Sequence, residues 1–516
     1  MPFTEDIQLA YQFKGESFLL GQAMLDGQAV QGVPVMLPLK TMNRHGLIAG
    51  ATGTGKTKTL QGLAEGLSKA GVNVFMMDIK GDLSGIGAPG TLNEKIKERC
   101  DSMGIEYTPE GFPLELLTLS DEPGARLRAT VTEFGPVLFS KILGLNDTQE
   151  GVMAMIFKFC DDRGLPLIDL KDLQKVLQFM GNEGKEEIKA EYGSISPQTI
   201  GTMQRKMVEL QQQKADVFFG EPSFDINDLM PPTSGGRGRI SIVRVSDLQD
   251  RPKLFSTFML QLLAELYAEL PEAGDLDKPK LVMFIDEAHL IFQDATPALM
   301  QQLETVIKLI RSKGVGIFFC TQNPTDIPQA ILSQLGMKIQ HALRAFTAKD
   351  RQDIKKVAQN YPETSYYKTE DLLTQLGIGE ALVTLLNEKG IPTPLVHTLL
   401  APPSSRMDVL TPAEIEQLVK NSALCRIYNQ TVDAHSAYEM LMERMAASKA
   451  EADEAAANAP TKTAAGKAEK STLDTILTSS VGRQVGRTAA SMITRTLLGV
   501  LGFGAARSSR KKSGWF

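Results

Sequence analysis

The run Gly50-Ala51-Thr52-Gly53-Thr54-Gly55-Lys56-Thr57 constrains this chain more than any other stretch. It directly follows the apolar segment HGLIA and opens a helical pattern that stops at Gly71. A strand, a glycine-rich turn and a helix in that order let backbone N–H groups curl around an anion, and the helix amino terminus adds partial positive charge. The spacing matches the full GxxxxGK[ST] phosphate-loop pattern. It assigns phosphate contacts to Gly50, Thr52, Gly53, Thr54, Gly55, Lys56, Thr57 and Lys58, with Lys56 reaching the β- and γ-phosphates and the Thr57 hydroxyl ligating Mg2+.

From His45 onward, apolar runs of strand length alternate with stretches of helical period, the pattern of an α/β fold with a parallel sheet. Strands are predicted over Gly46–Ala49, Val72–Asp78, Ile240–Val245, Leu281–Asp286, Val315–Thr321, Met337–Leu343 and Ala381–Leu386. Residues 1–42 read as a short β-hairpin module, with Asp-Gly punctuation between apolar runs. Residues 43–402 form the nucleotide-binding core, with a mostly helical insertion over about 95–238. After the Pro-Pro-Ser-Ser stretch, 403–446 is a helical extension in which Thr411 caps and Pro412 occupies the first turn. The Ala/Lys/Glu-rich segment 447–470 has little to bury and reads as a flexible linker. Residues 471–516 read as a basic amphipathic helix weakened by glycines.

The second half of the site is Leu281-Val282-Met283-Phe284-Ile285-Asp286-Glu287. Five apolar residues make a strand buried on both faces, and its carboxyl end is where ligands of open α/β sheets bind. Asp286 is placed there to hold Mg2+, and Glu287 to polarise the attacking water in ATP hydrolysis. A third strand, Gly316–Thr321, ends at Gln322, which either senses the γ-phosphate or belongs to an Asn-Pro strand-end turn. Arg311 either caps its own helix or reaches a neighbouring subunit's phosphate, with Arg344 and Arg351 as rivals. Asp78 fits a role beside the metal and water or a loop cap, and Asn43-Arg44-His45 precedes the first strand. His289 reads as structural.

Charge narrows the function classes. The 55 Lys and Arg face 61 Asp and Glu, a net charge of -6, so a generally basic nucleic-acid coat is excluded. Beyond Asp474 there is no acidic residue but seven basic ones (Arg483, Arg487, Arg495, Arg507, Arg510, Lys511 and Lys512), so the body carries -13. Any DNA contact is therefore local, and Gly235–Arg239 (GGRGR) and the tail are the candidates. The four cysteines form no CxxC pair, which fits reduced thiols rather than a zinc site or disulfide framework. With no secretory signal and no apolar run near ~20 residues, a soluble cytoplasmic protein is expected.

The segments LPLKTMNRHGLIAGATGTGKTKTLQ, VFMMDIKGDLSGI, LVMFIDEAHLIF and RSKGVGIFFCTQNPTDIP together resemble the HerA/FtsK superfamily of RecA-like ATPases, most nearly the HerA-like ATPases of the bacterial YjgR type. The resemblance covers roughly residues 16–406. It implies a RecA-like (ASCE) sheet with an extra strand between the phosphate loop and the acidic pair. Lys56, Thr57, Asp286, Glu287 and Gln322 then take the family's roles, and Arg311 matches its finger. It further implies ATP and Mg2+ as ligands, a hexameric ring and DNA translocation. A non-motor ATPase acting on a protein partner or at a membrane surface is the alternative.

Overall fold

The computed structural model describes residues 2–233, 235–245, 252–292, 297–430, 432 and 434–457. The basic tail and all of the predicted linker after 457 lie outside the described residues. The chain divides into two units, residues 1–128 with 213–432, and residues 129–212 with 433–516.

The first unit carries a sheet of twelve strands: β1 (Ser17–Leu25), β2 (Gln28–Pro38), β3 (Gly46–Ala49), β4 (Asn73–Asp78), β5 (Leu114–Thr118), β6 (Ala125–Arg126), β7 (Ile240–Arg244), β8 (Leu281–Ile285), β9 (Val315–Thr321), β10 (Met337–Gln340), β11 (Glu380–Thr384) and β12 (Val396–Leu400). Their order is β2-β1-β12-β11-β10-β3-β9-β8-β4-β7-β5-β6. From β10 to β6 every pairing is parallel, whereas β11, β12, β1 and β2 add antiparallel strands at one side. Every residue of β3, β4, β8 and β9 is buried, as continuous apolar runs covered on both faces require.

β9 lies between β3 and β8. That is the extra strand between the phosphate loop and the acidic pair, and it brings the carboxyl ends of all three to one edge. Leu60, Leu63, Ala64 and Leu67 form the apolar stripe of helix Lys56–Lys69, and their burial with Ile48, Val74 and Met76 fixes that helix on the sheet. Each such fully buried leucine side chain contributes about 1.5–3 kcal/mol.

Several boundaries differ from the sequence expectation. The hairpin β1–β2, turning at Asp26-Gly27 with both φ positive, is no separate module: β1 pairs with β12 and extends the core sheet. The interval 95–238 is not helical throughout, because β5 and β6 continue the sheet. Glu115 interrupts the apolar run of β5 and hides it; in the fold its buried carboxylate accepts from Ser422 Oγ at 2.6 Å, a partner distant in sequence.

The helical part is the second unit, with helices Val131–Leu143, Asp147–Arg163, Leu170–Gly181, Lys185–Glu191 and Pro197–Gln212. Capping boxes at Thr130, Asn146 and Asp169 start three of them. Helix Ala437–Ala457 belongs to the same unit. Ser436 Oγ and the Tyr438 N–H (2.8 Å) both donate to Asp172 Oδ1, anchoring its start. The predicted extension therefore divides, since Pro412–Asn421 and Ala423–Tyr428 belong to the first unit. The predicted linker begins as the continuation of Ala437–Ala457, whose Ala, Glu and Lys are strong helix formers.

The core does not end at 402. Buried Glu65 accepts from Ser404 N (2.7 Å), Ser405 N (3.1 Å) and Ser405 Oγ (2.5 Å), so the strap after β12 is tied to the phosphate-loop helix. No helix among the described residues is long and apolar enough to cross a membrane.

Candidate active site

The phosphate loop leaves β3 pinned on both sides. Gly50 N donates to Thr321 O (3.2 Å) at the end of β9, and Ala51 N donates to Ala342 O (2.8 Å) beyond β10. A Cβ on Gly50, whose φ is 153°, would stand 2.5 Å from His341 Cβ. Thr54 Oγ1 closes the loop on Ala51 O at 2.7 Å. Gly55 caps the following helix in the left-handed region, with φ 109° and no side-chain cap. The N–H groups of Lys56, Thr57 and Lys58, in the first helical turn, thus have no intrahelical acceptor, an arrangement that suits an anion.

Lys56 is buried, and its Nζ donates to Gly50 O (2.6 Å) and Ala51 O (3.1 Å). Burial pulls its pKa below the ordinary lysine value, with the nearby Lys80 charge adding to the effect. The Lys58 side chain turns away from the loop. Its Nζ donates to Gln61 Oε1 (3.3 Å) and to Met407 O on the strap, which leaves its backbone N–H for phosphate.

Asp286 and Glu287 follow β8 at the same edge. Asp286 is 2% exposed; its Oδ1 accepts from Glu287 N at 2.9 Å, and Oδ2 has no hydrogen-bond partner among the described residues. Burial raises its pKa, Lys80 opposes the rise and Glu287 adds to it. An orphaned, buried carboxylate oxygen beside a phosphate loop fits the donor set of Mg2+, an oxygen-seeking cation. Glu287 has φ 45°, uncommon for a residue with a Cβ. Successive side chains of a strand point to opposite faces, and this left-handed step breaks the alternation immediately after Asp286. Lys80 Nζ lies 2.5 Å from Glu287 Oε1, and His289 Nδ1 lies 3.4 Å from Oε2.

Asp78 is a loop cap. Its carboxylate accepts from Gly81 N (2.7 Å), Asp82 N (3.1 Å) and Leu83 N (3.1 Å), and burial raises its pKa to about 6. The capped turn carries Lys80 into the site, a residue that sequence reasoning missed; nothing about one lysine after a strand marks it. Gln322 is exposed at the carboxyl end of β9. The strand-end turn is present as well: Asn323 caps Pro324–Asp326, and Asp326 Oδ2 accepts from Thr321 Oγ1 (3.0 Å) and Asn323 N (3.1 Å).

Arg311 is not brought to this site. It is exposed in the short 3-10 turn Arg311–Lys313 that precedes β9, at the sheet edge opposite the phosphate loop. Asn43, Arg44 and His45 occupy that same far edge. Within the GGRGR run, Arg237, its side chain 37% exposed, pairs with Glu110, and Arg239 donates to Asp228 O, so both arginines already have partners within the chain.

A profile of the helicase HerA-like C-terminal family matches residues 23–507. The chain belongs to this family. The HerA-like chain is 21% identical over 369 residues to the DNA double-strand break repair helicase HerA of Sulfolobus acidocaldarius, covering 71% of this chain and 67% of that protein. Among solved structures it resembles the bacterial conjugative coupling protein TrwBΔN70, at 13% identity and a TM-score of 0.50, covering 79% of this chain and 94% of that one. VirB4 of Thermoanaerobacter pseudethanolicus aligns at 18% identity and a TM-score of 0.48, covering 78% and 99%. The TrwBΔN70 likeness bears out a RecA-like P-loop ATPase fold for this HerA-like chain.

Two buried histidines stand at opposite ends of β3. His341 Nε2 and Thr59 Oγ1 are 2.9 Å apart beneath the phosphate loop. His45 accepts from Ile317 N at Nδ1 (3.0 Å) and faces Ile307 O with Nε2 (2.7 Å), an arrangement that requires the neutral Nε2–H tautomer. Burial lowers both pKa values to about 4. The unfolded chain takes up these protons below about pH 6.5 and the folded one resists until about 4, so each histidine removes stability as pH falls through that window, by up to ~1.4 kcal/mol per pH unit. In thermal melts from pH 7 to 5, His45→Gln will therefore lose less Tm than the parent protein, although it starts lower. An unchanged pH slope would exclude His45 as a contributor.

Proposed function

We propose that this chain is a Mg2+-dependent ATPase of the HerA type that works as a ring-shaped motor on double-stranded DNA. The observation that carries the hydrolytic part is the buried pair Asp286 and Glu287 beside the phosphate loop, with β9 between their strands. Loop N–H groups and Lys56 hold the β- and γ-phosphates, while Thr57 and Asp286 hold the metal. Mg2+, when bound, neutralises charge on the phosphate oxygens. Glu287 accepts a proton from the attacking water as its oxygen bonds to the γ-phosphorus and the bond to the bridging oxygen of ADP breaks. Gln322, free at the end of β9, orients that water. Arg311, on the far edge of its own sheet, would serve a neighbouring subunit's phosphate in a hexameric ring.

Membership in the HerA-like family supports the motor reading. The internal engagement of Arg237 and Arg239 favours a second one, an ATPase acting on a protein partner or at a membrane surface. ATP turnover of the full chain with and without double-stranded DNA, over a salt series, separates the two. The motor predicts stimulation that declines with salt as counterions compete for phosphate contacts. Undetectable DNA binding at low salt would reject it, and a strict monomer with and without ATP in native mass spectrometry would reject the ring.

A further inference from the structure

Lys80 occupies the place where the catalytic carboxylate needs freedom. Its turn is rigid, since Asp78 accepts three consecutive backbone N–H groups from Gly81, Asp82 and Leu83. From that turn its ammonium reaches Glu287 Oε1 at 2.5 Å, while the glutamate side chain is only 7% exposed and that of the lysine 36%. A carboxylate oxygen bonded this closely to an ammonium is a poor acceptor for a water proton. The ion pair therefore competes with a proton-accepting role for Glu287.

The surrounding charges define what can release it. Lys56 and Lys80 sit close enough to influence each other, and both face Asp286 and Glu287. Two ammonium groups and two carboxylates thus balance around the phosphate seat. A γ-phosphate entering that seat brings new negative charge and strong acceptor oxygens, and a lysine on a flexible four-carbon stem is able to change partner. A diphosphate leaves the γ position empty and offers no such competitor.

We propose that Lys80 is a positioning residue that distinguishes triphosphate from diphosphate: it ion-pairs with Glu287 in the empty site and moves its ammonium to the γ-phosphate, which frees Glu287 for water. This rests on the nucleotide site proposed above. Asp78 and the 81–83 turn supply the fixed base for that exchange, and no covalent bond changes in it.

Equilibrium binding of Mg-ADP and of a hydrolysis-resistant Mg-ATP analogue to the full chain tests this without measuring turnover. Lys80→Met will weaken the triphosphate analogue about tenfold or more and change ADP affinity less than about twofold, as loss of one charge-assisted hydrogen bond predicts. Lys80→Arg will retain most of the triphosphate preference. Glu287→Gln removes the competing partner, so it will tighten the analogue in the Lys80 protein but not in the Lys80→Met background. Equal weakening of both nucleotides by Lys80→Met, or tightening by Glu287→Gln that persists without Lys80, would overturn the proposal. Parent protein that binds neither nucleotide would instead overturn the underlying site assignment, and the proposal with it.

Discussion

Glu287→Gln will reduce ATP turnover by about 10²–10⁴-fold while nucleotide still binds, the range expected when a positioned general base is removed. The substitution preserves shape, and Glu287 is buried at 5% exposure, so the amide will occupy the same volume. What disappears is the oxygen able to accept the water proton, together with the anion that holds Lys80. Phosphate release under saturating ATP and a parallel binding titration measure the two effects separately. Hydrolysis at the parental rate in this variant would remove Glu287 as the base. Loss of nucleotide binding would instead show that the residue shapes the phosphate seat.

A second large effect is expected at Lys56. Replacing it with Met will weaken ATP binding by about tenfold to a hundredfold, since charge-assisted hydrogen bonds to phosphate contribute roughly 1.5–3 kcal/mol. The empty protein should respond differently. Burial depresses the Lys56 pKa, so the ammonium is uncomfortable where it stands, even though it donates to Gly50 O and Ala51 O. An apolar side chain of similar length relieves that desolvation and leaves two carbonyls short of a donor, two changes that oppose one another. The Tm of Lys56→Met without nucleotide will therefore stay close to the parent value, whereas the rise in Tm produced by ATP will shrink, about tenfold to a hundredfold more ATP being needed for the same shift. A collapse of Tm in the empty variant would mean that the lysine is chiefly structural. An undiminished ATP-induced shift would show that it is not the phosphate ligand.

How much of this was legible beforehand varies by element. The phosphate-loop pattern was readable because its glycines, Lys56 and Thr57 are contiguous and fill one strand-to-helix turn. Asp286 and Glu287 were readable because a five-residue apolar strand announces where its carboxyl end must lie. The seven expected strands are all present, β8 as an uninterrupted apolar run, whereas Arg244 in β7 and Lys338 and Gln340 in β10 interrupt theirs. Where a polar residue is buried with a remote partner, the pattern failed. Glu115 concealed β5 because its donor, Ser422, comes from a helix near the end of the first unit. Ser404 and Ser405 looked like a boundary because their acceptor, Glu65, lies on the phosphate-loop helix.

The sequence alone carried a phosphate-loop pattern between a strand and a helix, and an acidic pair at the end of a buried apolar strand. The tertiary structure alone decided which charges meet there. It set Lys80 against Glu287, turned the Lys58 side chain toward the strap, placed His341 behind the loop and left Arg311 on the opposite edge. The physical reason is that strand periodicity reports which residues are buried, not which strands become neighbours. Only the insertion of β9 between β3 and β8, and the pairing of β4 with β8, brings these distant residues within hydrogen-bonding range of one another.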